Sequence, residues 1–239
     1  MATTVQNAKP MTPEDKKRAA AMEACAFVKP NMKLGLGTGS TVQFLLEELS
    51  RRIKAGLDVV GVPTSRKTEE ECKRLKIPLA TLDDHPRLDL MIDGCDEVDA
   101  RLNLIKGGGG ALVREKVVAS SSQTVVIIAD DSKYVARLGS TFPVPVEVLP
   151  FARAYVMRGL KAVGSNPVQR MTKDGKPYVT DNGGWILDAR FPYIPDPVKV
   201  EQEITFMSGV LDCGIFTGLS DIALVGTSEG IVRLTLPKR

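Results

Sequence analysis

Apolar and polar positions in the first 140 residues alternate between short apolar runs and longer amphipathic stretches. The apolar runs predict buried strands near residues 33–37, 58–62, 78–82, 88–92 and 125–129. The amphipathic stretches between them predict helices at about 12–28, 41–54, 66–75 and 111–119. Strands that alternate with helices in this way predict a Rossmann-like α/β fold with a doubly wound, mostly parallel sheet.

The pattern changes after Gly139, where prolines become frequent. We expect strands near 146–149, 168–172, 178–179, 185–189 and 215–216, with helices at about 151–163 and 197–211. This β-α-β-β-α-β order is typical of a small, ferredoxin-like α+β domain. Two last strands, near 222–225 and 231–236, would return to the first sheet. The predicted organisation is a catalytic domain of residues 1–140 plus 214–239, with residues 141–213 inserted as a lid and oligomerisation domain.

The composition argues against several classes of protein. The chain has 239 residues, a formal net charge of +3 and no dense run of lysine and arginine, so a nucleic-acid partner is not expected. No apolar run has membrane-spanning length, and no signal-like segment precedes the first helix. Four scattered cysteines and a single histidine, His85, predict a reducing, cytoplasmic location and neither a metal site nor a histidine-based triad.

The first glycine-rich segment, residues 35–41, joins a strand to a helix. Its backbone N–H groups and the hydroxyls of Ser40 and Thr41 could donate hydrogen bonds to a phosphate. A dinucleotide site would place an acidic residue at the end of the next strand, but that strand ends in Gly-Val-Pro-Thr-Ser at 61–65. We therefore expect a single phosphate here, and the alternative is a tight turn without a ligand.

The second glycine-rich segment, Gly107 to Gly110, lies between Lys106 and a predicted helix. Helix N-termini favour anions, so the segment could receive a phosphate or a developing oxyanion, and the alternative is a flexible linker. Glu115 on this helix has only apolar neighbours one turn away. Partial burial would raise the pKa of its carboxyl group towards the range of a general base, and the alternative is a surface glutamate.

Polar residues also follow two predicted strands at the edge where open α/β sheets bind ligands. Asp93 ends the strand at 88–92, and Gly94 allows a turn that would gather Asp96, Glu97 and Asp99. Such crowding would separate their pKa values or attract a cation, unless the segment is a solvated acidic turn. The strand at 125–129 leads to Lys133, which is either a cation for the phosphate or a surface lysine.

Five motifs in order and at characteristic spacing resemble the ribose-5-phosphate isomerases of the A type. They are GLGTGST, GVPTS, DGCDEVD, KGGGGAL followed by REK, and ADDSK, and the resemblance extends over essentially the whole chain. It implies interconversion of D-ribose 5-phosphate and D-ribulose 5-phosphate in the pentose phosphate pathway, with no cofactor and no essential metal. It also implies a homodimer or homotetramer with a phosphosugar substrate and no nucleic-acid or membrane partner.

The resemblance also implies roles for individual residues. Glu115 would be the proton-transferring base, with Asp93 and Lys106 as the other catalytic residues. The implied substrate-binding residues are Thr38, Gly39, Ser40, Thr41, Asp93, Gly94, Cys95, Asp96, Lys106, Gly107, Gly108, Gly109, Lys133 and, in the first helix, Lys17. Cys95 stands where the family most often has alanine.

The expected chemistry agrees with the types of residue present. One carboxylate can remove the C2 proton and return it at C1 through a cis-enediolate, whose oxygens Lys106 and the glycine-loop N–H groups would stabilise. Asp93 would move the hydroxyl proton. Two alternative functions each lack a required feature. A phosphosugar-sensing regulator would need a basic recognition helix, and the sequence offers none. A nicotinamide-dependent dehydrogenase would need an acidic residue after the second strand, where this sequence has none.

Overall fold

The computed structural model describes residues 11–236. In this range the α-helices are α1 Pro13–Ala24, α2 Ser40–Lys54, α3 Arg66–Leu75, α4 Leu112–Ser120, α5 Arg153–Ala162 and α6 Pro197–Thr205. The strands are β1 Met32–Leu36, β2 Val59–Pro63, β3 Leu90–Gly94, β4 Glu97–Val98, β5 Leu104–Ile105, β6 Val125–Asp130, β7 Val144–Val148, β8 Asn166–Gln169, β9 Trp185–Arg190, β10 Val210–Cys213, β11 Ile215–Phe216, β12 Ile222–Thr227 and β13 Gly230–Thr235. Short 3-10 turns lie at Cys25–Phe27, Asp131–Lys133 and Pro150–Ala152.

The main sheet has the strand order β13-β12-β6-β3-β1-β2, and all its neighbouring strands are parallel except the β12–β13 pair. One face packs on α1 and α2 and the other on α4, so both faces are covered. The predicted Rossmann-like α/β class is therefore confirmed. The chain leaves β1 towards β2 on one side and continues from β3 on the other, which makes the β1–β3 boundary the switch point where such sheets bind ligands.

A second sheet is antiparallel throughout, with the order β10-β7-β9-β8. Along the chain its elements follow as β7, α5, β8, β9, α6 and β10, which confirms the small α+β fold of ferredoxin-like order. Its buried side chains form a cluster that also includes Ile105 and Ile215 from a third, three-stranded sheet of β11, β5 and β4. The third sheet thus joins the other two.

Four predicted elements differ from the structure. The strand expected at 215–216 to complete the second sheet is β11 of the third sheet, and β10 takes its place. Residues 78–82 form only a single bridge, Gly61 to Leu79, beside the edge strand β2, because Pro78 has no N–H to donate to a ladder. Residues 178–179 likewise form only the bridge of Val179 to Trp185. The helix predicted at 197–211 was too long: α6 ends at Thr205, and Gly209, with a φ of 87°, leads the chain into β10.

Glu97 does not lie in the acidic cluster that the sequence predicted. Its side chain is fully buried and accepts hydrogen bonds from the backbone N–H groups of Gly139, Thr141 and Phe142, all at 2.7 Å. These residues begin the connection to the second sheet. A buried carboxylate that satisfies three backbone donors stabilises this connection between the sheets.

We predict that Glu97→Ala lowers the free energy of unfolding by about 3 to 5 kcal/mol, because three buried N–H groups lose their acceptor. Urea denaturation followed by circular dichroism measures the change. The exposed Glu229→Ala is the control and should stay close to the wild type. A loss below about 1 kcal/mol in Glu97→Ala would contradict this role.

Candidate active site

The turn after β1 and the end of β3 lock together at the switch point. Gly37 has no room for a side chain, because a Cβ there would overlap the Asp93 carboxylate. The N–H groups of Thr38 and Gly94 donate to Asp93 Oδ1 at 3.0 and 2.7 Å. Asp93 is fully buried as a result, and its orientation is set by backbone donors from two elements.

Lys106 follows β5 and lies between two carboxyl groups. Its side chain is 3% exposed, and its Nζ lies 3.0 Å from Asp93 Oδ2 and 3.4 Å from Glu115 Oε1. The same ammonium group donates to the carbonyl of Gly94. Glu115 comes from the first turn of α4 and is also buried. The site therefore holds two carboxyl groups and one ammonium group away from water.

Burial and the charges of the neighbouring groups shift the pKa values of all three groups. Burial raises the pKa of Glu115 from its ordinary value of 4.5 to about 8, although Lys106 opposes the change. Burial also raises the pKa of Asp93, against Lys106 and the two backbone donors. Burial alone would lower the pKa of Lys106, but the two carboxyl groups more than offset it and the pKa rises. Asp93 has the closer lysine contact and two N–H bonds, each of which favours its ionised form and opposes the effect of burial.

A cavity of about 150 Å³ opens above this group. It is lined by Lys17, Thr38, Gly39, Ser40, Thr41, Gly94, Cys95, Asp96, Lys106, Gly107, Gly108, Gly109, Glu115 and Lys133. The structure thus brings together every predicted site residue except Asp93, which lies beneath the cavity floor. Glu115 Oε2 is buried and has no hydrogen-bond partner among residues 11–236, so it is placed to accept a proton.

Basic and N–H groups line the part of the cavity near α2. Lys17 Nζ donates to Ser40 Oγ at 3.2 Å and lies 4.0 Å from Asp130 Oδ2. Helix α2 begins at Ser40 after Gly39, which has a φ of 131° and no capping side chain. The first N–H groups of α2 therefore have no side-chain cap and favour an anion.

The hydroxyl group of Thr38 belongs to a cluster that sequence reasoning missed. Thr38 Oγ1 lies 2.9 Å from Thr64 Oγ1, 2.8 Å from Ser65 Oγ and 3.0 Å from Thr68 Oγ1. The cluster ties the first glycine turn to the residues after β2, where a dinucleotide enzyme would carry its acid. The three hydroxyl residues of this cluster after β2 include the Thr-Ser end of the Gly-Val-Pro-Thr-Ser motif, which was the available signal in the sequence.

Several other predicted residues have defined places. Asp96 accepts the N–H of Gly108 at 2.7 Å, which links the acidic turn to the second glycine segment. Burial raises the pKa of the Cys95 thiol to about 12, so it stays protonated at neutral pH. The carboxylate of Asp99 accepts hydrogen bonds from the N–H groups of Arg101 and Asn103 in its own loop. Neither Asp99 nor Glu97 joins the expected acidic cluster. Within residues 11–236 no group of three or more His, Cys, Asp or Glu side chains is placed to hold a metal ion.

A larger cavity of about 580 Å³ lies on the opposite face of α4. Its charged lining residues are Glu69, Lys73, Asp84 and Arg114, and none of them is buried. Lys73 is already paired with Glu69, and Arg114 with Asn182. The smaller cavity is the candidate active site because it alone of the two contains buried groups with shifted pKa values.

The fold and the small cavity define an α/β enzyme with a buried acid–base site. Residues 60–230 match the family model described as ribose 5-phosphate isomerase A (phosphoriboisomerase A). The chain belongs to this family. In the residues that the structure describes, no helix combines the length and apolar character needed to cross a bilayer.

Relatives and solved structures agree with this assignment. Ribose-5-phosphate isomerase A of Parvibaculum lavamentivorans is 48% identical over 92% of this chain and 97% of its own, and that of Thermosynechococcus vestitus is 50% identical over 88% and 90%. A D-ribose-5-phosphate isomerase solved in complex with phospho-erythronic acid is 40% identical over 95% of this chain and 100% of its own, with a TM-score of 0.93. The enzyme from Methanocaldococcus jannaschii is 41% identical over 94% and 100%, with a TM-score of 0.90.

The raised pKa of Glu115 predicts a pH-dependent contribution to stability. The folded state binds this proton more tightly than the unfolded state, so the contribution is complete below pH 4.5 and is lost as pH rises through about 8. Glu115→Gln should remove this loss and make the protein more stable than the wild type above pH 8, by about 1 kcal/mol or more.

Urea midpoints on the acidic and alkaline sides of this range measure the effect, with the exposed Glu229→Gln as the control. Parallel pH profiles of stability for the wild type and Glu115→Gln would show that folding does not raise the pKa of Glu115. That result would contradict its assignment as a buried group that is protonated near neutral pH.

Proposed function

We propose that this protein interconverts D-ribose 5-phosphate and D-ribulose 5-phosphate in the non-oxidative pentose phosphate pathway. The observation that carries the proposal is Glu115, a buried carboxyl group with an unpartnered oxygen and a pKa near 8, beside Lys106. Similar chains bear the name of this isomerase, and one of them was solved with phospho-erythronic acid. A phosphorylated sugar acid of that kind is the ligand class that we expect in this cavity.

Glu115 is the base of the proposed reaction. With the sugar chain open, its carboxylate removes the proton from C2, the C2–H electrons form the C1–C2 double bond, and the carbonyl oxygen at C1 becomes an enediolate oxygen. The hydroxyl proton on the C2 oxygen moves to the C1 oxygen, and the same carboxyl group returns the carbon-bound proton to C1 on the same face, which leaves the carbonyl at C2. No electrons leave the sugar, so this isomerisation is balanced without a cofactor. A general base of this kind contributes about 10²- to 10⁴-fold in rate.

Lys106 and the second glycine segment stabilise the enediolate. The ammonium group of Lys106 lies in a site that excludes water, where its charge acts more strongly on a developing anion than in solvent. Asp93 holds this ammonium in place at 3.0 Å. Because Asp93 lies beneath the cavity, we propose that it moves hydroxyl protons through Lys106 rather than by direct contact with the sugar.

The phosphate binds at the other end of the substrate. The N–H groups at the start of α2, the hydroxyls of Ser40 and Thr41, and the ammonium groups of Lys17 and Lys133 form a set of donors for it. Binding energy from the phosphate holds C1 and C2 beside Glu115. A contact far from the reacting carbons thereby increases the reaction rate.

We also propose that the protein assembles as a homodimer or homotetramer in the cytoplasm. The second sheet and its helices, assigned here to the inserted domain of residues 141–213, carry two largely exposed aromatic side chains, Phe151 and Phe206. Exposed aromatic residues of this size are typical of protein contacts, which supports assembly through this domain.

An isomerase assay with ribose 5-phosphate tests the proposed function directly. We expect formation of ribulose 5-phosphate that is unchanged by EDTA, since no step requires a metal. In D₂O, ribulose 5-phosphate should acquire deuterium at C1, because the base exchanges its proton with solvent. Wild-type protein that is folded but forms no ribulose 5-phosphate would refute the assignment.

Glu115→Gln should keep KM close to the wild-type value and lower kcat by about 10²- to 10⁴-fold, because the amide cannot accept the C2 proton. Steady-state kinetics measure both constants, and circular dichroism verifies the fold. Near-normal turnover in this variant would exclude Glu115 as the base.

A further inference from the structure

The second sheet and its loops hold the carbonyl groups of the second glycine segment. Arg170 Nη1 donates to the carbonyl oxygens of Gly107 and Gly108 at 3.1 and 3.0 Å. The hydroxyl of Tyr178 donates to the carbonyl of Gly109 at 3.1 Å. Three consecutive peptide carbonyls of the candidate active site are therefore bound by two side chains that lie more than sixty residues further along the chain.

Arg170 is itself held in one orientation. Its Nε and Nη2 atoms bond to the two carboxylate oxygens of Asp188 at 2.9 and 2.5 Å, and its guanidinium lies 5.7 Å from the centre of the Tyr178 ring. A planar guanidinium bound at both edges presents its remaining donor in a fixed direction. The Asp188–Arg170 pair is thus a rigid support for the glycine carbonyls.

The orientation of a peptide carbonyl also determines where the next N–H points. A trans peptide directs its C=O and N–H to opposite sides, and residues 11–236 contain no cis peptide. The Gly107 carbonyl faces Arg170, and the N–H of Gly108 accordingly points away and donates to Asp96. By the same geometry the Gly109 N–H points away from Arg170. Gly109 lines the cavity, and a Cβ on it would lie 3.8 Å from the Thr38 methyl group.

We propose that Arg170 is a positioning residue, which keeps the Gly108–Gly109 peptide turned so that its N–H group and not its carbonyl oxygen faces the enediolate. Asp188 and Tyr178 support it. This inference rests on the isomerase function proposed above. Among the described residues that line the cavity, neither Arg170 nor Tyr178 is present, so both act through the glycine segment. A reversed peptide would direct a carbonyl dipole at the developing negative charge and slow its formation.

A positioning role and a purely structural role make different kinetic predictions. A residue that only stabilises the fold changes the amount of folded protein, while the folded molecules retain their kcat. Misdirected N–H groups weaken binding of the transition state more than binding of the substrate, so kcat falls while KM stays nearly constant. The chemical step also becomes slower, which increases the kinetic isotope effect for substrate deuterated at C2.

The test compares Arg170→Ala, Arg170→Lys and Tyr178→Phe with Lys176→Ala, a control in the exposed turn of the same segment. We expect kcat to fall by about 10- to 100-fold in both Arg170 variants, with KM nearly unchanged and a larger isotope effect. Lysine keeps the charge but cannot bond to Asp188 and two carbonyls in one plane, so it does not substitute for arginine. Added guanidinium ion should restore part of kcat in Arg170→Ala only, and Lys176→Ala should match the wild type.

Other outcomes overturn the proposal. Folded Arg170→Lys with wild-type kcat, or a raised KM at unchanged kcat, would exclude a positioning role. If Arg170→Ala does not fold, Arg170→Lys and Tyr178→Phe decide the question by the same criteria. Wild-type protein without isomerase activity refutes the proposed function and this inference with it, whereas an active wild type with unaffected Arg170 variants refutes the inference alone.

Discussion

The central constraint in this structure is that two buried carboxyl groups share one buried ammonium group. Lys106 can neutralise Asp93 or Glu115 but not both, and water is not available to stabilise the second negative charge. The N–H groups of Thr38 and Gly94 bond to Asp93 and favour its ionised form, whereas the side chain of Glu115 has no backbone donor among the described residues. A carboxyl group that is protonated near neutral pH, yet close to ionising, follows from this arrangement.

The second sheet and its helices also contribute to holding that arrangement. Glu115 and Lys116 are adjacent on α4 but point to different partners. Glu115 faces the cavity, and Lys116 Nζ binds Glu201 and Asp212 of the second sheet region at 2.8 and 2.6 Å. Helix α4 is therefore fixed from outside by ion pairs while its catalytic face stays free. Together with the contact of Arg170 with the glycine carbonyls, these ion pairs show that residues of the second sheet and its helices support the candidate active site.

The sequence predicted those parts of the site that depend on local rules. Glycine-rich turns and residues at strand ends can be recognised within a few positions, which is why the first glycine turn and the position of Asp93 at the end of a strand agree with the structure, although Asp93 does not line the cavity. The hydrogen bond from Arg170 to the Gly107 carbonyl spans 63 residues and has no local signature. The hydrogen bond from Thr141 to the fully buried Glu97 spans 44 residues and likewise has no local signature. The predicted end of the helix before β10 was wrong for a local reason. Apolar residues continue past Thr205, and only Gly209 marks the end of the helical segment in the sequence.

The placement of the other cations completes the electrostatic argument. A phosphorylated sugar brings negative charge into a cavity whose floor already has more carboxyl than ammonium groups. Lys17 lies beside Asp130 and Ser40, away from the Lys106 group, and Lys133 lines the same cavity. With the N-terminus of α2, they provide positive potential for the phosphate without competing for Glu115. In the proposed reaction, separate cations would serve the phosphate and the enediolate, which would leave Glu115 basic enough to take a proton from carbon.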